Sequence, residues 1–176
     1  MHRLCSLAVA FILAVGLMAP TPAEAQTNVE LGPRLVIPAG DVADLGGNLG
    51  IGADARISSA SLPVVLNPSF DLYFTDDFNG VDQSFYAIDL NALYEFGVDN
   101  EVFTPYAGGG LAITNWSVDI NDGPGITDPS TTEVGLNIVG GARFLLGRVA
   151  PFAQLNATVG GDLERLGITG GILFQL

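Results

Sequence analysis

The 176-residue chain carries six Lys and Arg against nineteen Asp and Glu, for a net charge of −13, yet 48% of its residues are hydrophobic. The acidic balance argues against nucleic acid as a partner on electrostatic grounds. After the N-terminal segment no apolar run reaches the roughly 20 residues a spanning helix needs, so a membrane crossing here would have to be made by strands.

In chain order the first element is the N-terminal segment. His2 and Arg3 precede the apolar run LAVAFILAVGLM, and PTPAEAQ follows with Ala23-Glu24-Ala25 in the small-x-small pattern of a cleavage site. This predicts a secretory signal peptide over residues 1–25, cut after Ala25, and a single mature domain over 26–176. Cys5 lies before the apolar core, on the wrong side of it for lipid attachment. Cleavage removes His2, Arg3 and Cys5 and leaves no His, Cys or Lys. What remains is Arg34, Arg56, Arg143, Arg148 and Arg165 against eighteen carboxylates, nineteen less Glu24. Imidazole and thiol catalysis, the usual zinc sites and disulfides are thereby excluded, and no cofactor is expected.

Eight segments then alternate with a period of two, the spacing at which successive strand side chains point to opposite faces. In NVELGPRLVI, Val29, Leu31, Pro33, Leu35 and Ile37 oppose Glu30, Gly32, Arg34 and Val36. NLGIGADARI sets Leu49, Ile51, Ala53, Ala55 and Ile57 against Asn48, Asp54 and Arg56. VVLNPSFDLYF sets Leu66, Phe70, Leu72 and Phe74 against Val65, Asn67, Ser69, Asp71 and Tyr73. FYAIDLNALYEF places Tyr86, Ile88, Leu90, Ala92, Tyr94 and Phe96 opposite Ala87, Asp89, Asn91, Leu93 and Glu95. VFTPYAGGGLAITNW turns Phe103, Pro105, Ala107, Leu111 and Ile113 one way, with Tyr106, Gly108, Gly110 and Thr114 the other. EVGLNIVGGARF, VAPFAQLNATV and RLGITGGILFQL complete the set, with Glu133, Asn137, Arg143, Phe152, Gln154, Asn156, Thr158, Arg165, Thr169 and Gln175 on the polar side. No segment has a helical period.

The connections alternate as well. Pro38–Gly46, Thr75–Ser84 and Ser117–Thr132 are long and polar; Ser58–Pro63, Gly97–Asn100 and Leu146–Arg148 are tight. Long loops at one end and short turns at the other are the build of an outer-membrane barrel. The polar face carries Glu30, Arg34, Asp54, Arg56, Asp71, Asp89, Glu95, Glu133, Arg143 and Arg165. An Arg facing lipid at mid-membrane would cost about 2–4 kcal/mol, so these ten residues are expected to turn inward as a lumen charge network. Phe74, Tyr86 and Trp116 at the outward strand ends, and Tyr94, Phe96, Phe103, Phe144 and Phe174 at the inward ends, are expected to form two aromatic girdles.

The signal peptide, the eight alternating strands, TPYAGGGLA and the terminal GITGGILFQL resemble the small outer-membrane β-barrel family, that of the outer-membrane protein A transmembrane domain. The resemblance implies an all-β, eight-stranded antiparallel up-and-down transmembrane barrel in the outer membrane of a Gram-negative bacterium. It also implies contact with outer-membrane lipid and lipopolysaccharide, insertion by the barrel-assembly machinery, and a monomer. That family ends in an aromatic residue; here Leu176 is last and Phe174 stands two before it on the same face.

Asp76, Asp77, Asp82, Asp119, Asn121 and Asp122 bring oxygen ligands together in the outward loops and are candidates for weak divalent-cation binding. Asp76-Asp77 in DDFNGVD is also an ordinary acidic hairpin end, with Asn-Gly as its turn signal. The glycine pairs follow no phosphate-loop pattern; they leave room for inward Tyr73, Tyr106 and Phe152. The leading expectation is a non-enzymatic structural or surface-interaction protein with a lumen plugged by charged side chains. A narrow cation-preferring channel and a soluble periplasmic ligand-binding barrel are the alternatives.

Overall fold

A computed structural model describes residues 27–44, 47–75, 81–120, 130–161 and 164–176. The strands are β1 (Thr27–Gly40), β2 (Gly47–Ser59), β3 (Val65–Thr75), β4 (Val81–Glu95), β5 (Phe103–Ile120), β6 (Ser130–Phe144), β7 (Val149–Val159) and β8 (Arg165–Gln175). One helical turn, α1 (Asp41–Asp44), joins β1 to β2. All eight strands pair antiparallel in chain order, and β8 closes on β1 through pairs such as Arg34↔Gly171 and Ile37↔Ile168. Closure leaves no sheet edge, which is what lets strands cross a medium that cannot hydrogen-bond to them.

The polar and apolar faces are reversed from those of a soluble barrel. Arg34, Asp54, Asp71, Asp89 and Arg165 are buried, while Leu35, Ile37, Leu90, Leu136, Leu155 and Ile168 are each more than half exposed. The alternation of β5, the least regular segment, follows the same rule: Tyr106, Ala112 and Thr114 are buried and Leu111 and Ile113 exposed.

The two ends differ as their residues dictate. At the inward end the β7 hairpin turns on Gly147, whose φ of +73° suits the first central position of a two-residue loop. The β4–β5 turn is held by Asn100, whose Oδ1 accepts the backbone N–H groups of Val102 and Phe103 at 2.9 and 3.0 Å. At the outward end Gly40, at φ +72°, turns the chain out of β1 into α1. Asp41 of that turn accepts the Glu164 N–H at 2.8 Å.

Three expectations change. The segments at 38–40, 81–84, 117–120 and 130–132, read as loop, are strand, paired for example as Pro38↔Gly167, Val81↔Ile120 and Ser117↔Ser130; their polar sequence hides strand ends made by cross-strand register. Residues 41–44, also read as loop, form α1. Trp116, assigned to the outward girdle, has the parity of Tyr106 and Thr114; it pairs with Phe85 and packs against a buried cluster of Val36, Val42, Tyr73, Phe85 and Ala87. Phe74 remains exposed at the outward end, and Tyr94 with Phe96 and Phe103 with Phe144 form ring pairs at 5.2 and 5.5 Å at the inward end.

Three of the inward rings sit across from a glycine. Tyr73 pairs with Gly50, Tyr106 with Gly141 and Phe152 with Gly171, and a Cβ on those glycines would lie 3.1, 2.8 and 2.6 Å from the ring or its hydroxyl. The space that the missing side chain leaves is occupied by the neighbouring ring.

Candidate functional site in the barrel lumen

The middle of the lumen is a closed ring of charged and amide side chains. Arg34 on β1 donates Nε to Asp71 Oδ1 at 2.7 Å, donates Nη2 to Asp71 Oδ2, and donates Nη1 to Asp54 Oδ2 at 3.1 Å. Its Nη2 also lies 3.6 Å from Asp89 Oδ2, and Asp89 Oδ1 accepts from Arg165 Nη2. Arg165 Nε donates to Thr158 Oγ1 at 3.3 Å, Thr158 to Asn137 Oδ1 at 3.3 Å, and Asn137 Nδ2 to Asn91 Oδ1 at 3.0 Å. Asn91 Nδ2 donates to Asn67 Oδ1 at 3.4 Å and Asn67 Nδ2 to Asp54 Oδ1 at 2.8 Å, which returns the path to Arg34.

The direction of these bonds follows from the side-chain chemistry. Arg165 can only donate and the Asp54 carboxylate can only accept; each amide or hydroxyl between them accepts from one neighbour and donates to the next. Such aligned bonds reinforce one another in a medium of low dielectric. The path touches β1, β2, β3, β4, β6, β7 and β8. Arg34 and Arg165 of this ring, with Arg56 of the layer beneath, balance Asp54, Asp71 and Asp89, so the two layers together carry no net charge.

The next layer inward brings in β5. Arg56 Nη2 donates to Tyr106 Oη at 2.8 Å, and Tyr106 Oη donates to Gln154 Oε1 at 3.0 Å. The Arg56 guanidinium carbon stands 4.3 Å from the centroid of Tyr106 and 4.9 Å from that of Phe152, within cation–π range. Arg56 Nε lies 3.5 Å from Asp54 Oδ1, which links this layer to the ring. Val65, Leu93, Tyr106 and Val139 form an apolar cluster beside it.

The inward end has a clamp. Arg143 on β6 donates Nη1 to Glu30 Oε2 at 2.5 Å and Nη2 to Glu95 Oε2 at 3.0 Å, joining β6 to β1 and β4 across the lumen. One cation here faces two carboxylates. At the opposite end Val42 of α1, 1% exposed, lies against Val36, Tyr73, Phe85 and Ala87.

Nine of the ten charged residues expected inside are therefore brought together in two groups: Arg34, Arg56, Arg165, Asp54, Asp71 and Asp89 in one, and Glu30, Glu95 and Arg143 in the other. Glu133 belongs to neither group and lies half-buried towards the outward end of β6 beside Gly161. Sequence reading placed Asn67, Asn91, Asn137, Thr158 and Gln154 on the polar face but did not connect them, because a ring closed across seven strands depends on register. Val42 was missed, since nothing in DVAD marks it as inward. Of the candidate cation ligands, Asp76, Asp77, Asn121 and Asp122 lie outside the described residues. Asp82 and Asp119 are described at the backbone, where they pair across β4 and β5.

Residues 7–171 match the outer membrane protein beta-barrel domain. The chain belongs to that family. Among solved structures, the N-terminal β-barrel domain of OprF from Pseudomonas aeruginosa superposes with a TM-score of 0.64 at 20% identity, over 87% of this chain and 100% of that one. Ail, the attachment invasion locus protein of Yersinia pestis, gives 0.61 at 15% identity, and Neisserial surface protein A 0.59 at 18%, each over 88% of this chain and all of the other. At these identities the likeness is one of fold. A search of curated proteins by sequence finds no match. In an outer-membrane barrel the exposed belt of Leu, Ile and Val is the surface presented to lipid, and the ring described above lies inside it.

Proposed function

We propose that this protein is a small integral outer-membrane barrel with a structural or surface-interaction role, whose lumen is closed by its own side chains. The observation that carries the reading is the ring from Arg34 through Asp54, Asn67, Asn91, Asn137, Thr158, Arg165 and Asp89, with an apolar cluster outward of it around Val42 and another inward of it around Leu93. An eight-stranded barrel has an interior about wide enough for side chains to fill. In this reading residues 1–25 are a cleaved signal, residues 26–176 form the barrel, and the chain is a monomer in a Gram-negative outer membrane. The barrel-assembly machinery inserts it, with Phe174 as the aromatic residue nearest the C-terminus.

The outward segments narrow the kind of surface partner. Residues 38–46, 75–84, 117–132 and 160–164 contain no Lys or Arg. One structure of Ail holds the heparin analogue sucrose octasulfate. Outward segments without a cation do not suit a sulfated polyanion, so a partner of this chain is neutral, cationic or bridged by divalent metal.

A second reading is a narrow, cation-preferring conductance, favoured by the inward clamp, where Glu30 and Glu95 outnumber Arg143. Planar-bilayer recording separates the two. The refolded protein is expected to show no sustained ionic current. A steady cation-selective current that falls when Asp54, Asp71 and Asp89 are changed to Asn would replace the closed-lumen reading with the channel. A soluble ligand-binding barrel would turn its polar residues outward, whereas here Leu35, Ile37, Leu90, Leu136, Leu155 and Ile168 are exposed and Arg34, Asp54, Asp71 and Asp89 are buried.

A further inference from the structure

The outward mouth of the lumen holds a cup of aromatic rings. Tyr73 of β3, Phe85 of β4 and Trp116 of β5 wall it together with Val36 and Ala87, and the Tyr73 and Phe85 rings meet edge to face at 5.1 Å. Val42 of α1 is buried among them. A Cβ on Gly47 would lie 2.8 Å from Val42 Cγ1, so the glycine at the start of β2 is what leaves this valine its seat.

α1 closes the cup from outside the sheet. The chain leaves β1 at Gly40, in the left-handed region at φ +72°, and the turn is tied down by the Glu164 N–H donated to Asp41 and by Val42 itself. A four-residue turn with such ties opens at far lower cost than a strand leaves the sheet.

The cup also offers more than a valine uses. An aromatic ring carries a negative face, which attracts a cation and adds nothing for an isopropyl group. Tyr73 is buried and its hydroxyl meets no hydrogen-bond partner among the described residues, so an N–H brought to it would fill an unmet acceptor. At the mouth stand Asp41 and Asp44 of α1 with Glu164, and the outward segments contain no Lys or Arg to neutralise them. The one Trp of the chain completes the wall, at a strand end where a lipid-facing girdle residue was expected.

We propose that this cup binds a small alkylammonium ion and that Val42 is its built-in competitor. The proposal deepens the surface-partner reading above, narrowing a neutral or cationic partner to one class of cation. The alkyl groups of the ligand take the place of Val42 against the rings, while its charge meets the ring faces and the acidic mouth. An anionic ligand is repelled by the same mouth.

The test follows Trp116 emission from the refolded barrel in a non-ionic detergent, at constant ionic strength, as tert-butylammonium is added. tert-Butanol, of nearly the same shape without the charge, is the control. Val42→Ala empties the seat and keeps the rings. It is expected to bind the ammonium saturably and about tenfold more tightly than tert-butanol, the size of a partly desolvated cation–π contact. The parent is expected to show the same preference at least about tenfold more weakly, since its valine must leave first. Phe85→Leu added to Val42→Ala removes a ring while keeping apolar volume, and is expected to lose most of the preference for the cation. Folding of every variant is checked by its heat-dependent gel mobility. Absence of saturable binding in folded Val42→Ala, or in the parent if that variant does not fold, overturns the proposal. Equal affinity for tert-butanol does so as well, because the cup is then merely apolar. A parent that binds as tightly as Val42→Ala would take Val42 out of the site. Planar-bilayer recording of the same preparations reports separately on the closed lumen: a barrel that carries no current and binds no ammonium refutes the cup alone.

Discussion

Arg34→Met is expected to destabilise the barrel by about 3–5 kcal/mol, the range for breaking a buried ion pair from one side. The expected size follows from what is left behind. Arg34 supplies three hydrogen bonds to Asp71 and Asp54 and lies within ion-pair distance of Asp89, and its own side chain is 2% exposed. Removing it leaves Asp71 without its bidentate partner in a layer where all three aspartates are at most 3% exposed at the side chain. The check is urea-induced unfolding in lipid vesicles, followed by the shift of the folded band on gels. The double variant Arg34→Met with Asp71→Asn should recover part of the loss, because Asp54 keeps Arg56 and Asp89 keeps Arg165. A single-variant cost within the scatter of surface substitutions, about 0.5 kcal/mol, would mean that the ring contributes little to holding the strands together.

Glycine substitutions in the same sheet should give opposite results. A Cβ at Gly110 would stand 1.9 Å from Leu90 O and 2.7 Å from Asn91 Cα, both backbone atoms of β4. Neither can move without opening the β4–β5 pairing, so Gly110→Ala is expected to cost at least about 1–3 kcal/mol, the range for overpacking, and to reduce the yield of folded barrel. Gly170→Ala meets only Phe152 O at 3.9 Å and removes freedom from the unfolded chain. It should be neutral or stabilise by about 0.4–1 kcal/mol. Folded yield and urea midpoint measure both. Equal tolerance of the two would refute the view that close β4–β5 approach is what demands glycine at 110.

Much of this is legible in the sequence because a membrane-spanning strand needs a two-face pattern. In FYAIDLNALYEF the charged Asp89 and Glu95 and the apolar Ile88 and Leu90 fall on opposite parities, and burial follows that division along β4. The same rule placed Arg34, Asp54 and Asp71 inside. Pattern alone could not say who meets whom, since parity gives a face and not a partner across the lumen. Arg143 reaches Glu30 over 113 positions in sequence, a distance no local signal spans. Trp116 was assigned to a girdle because its position near a strand end outweighed its parity, and parity was the better guide. Polar loop composition likewise concealed the extension of β4 and β5 to Val81 and Ile120, because backbone pairing there does not need apolar side chains.

The central claim is that the Leu, Ile and Val belt meets lipid while the Arg34 ring lies within. It is tested most directly by expressing the whole chain in a Gram-negative host, isolating the outer membrane and washing it with alkaline carbonate. The mature protein, shortened by cleavage after Ala25, is expected to stay in the washed outer membrane. Release into the soluble periplasmic fraction as a folded protein would contradict that claim.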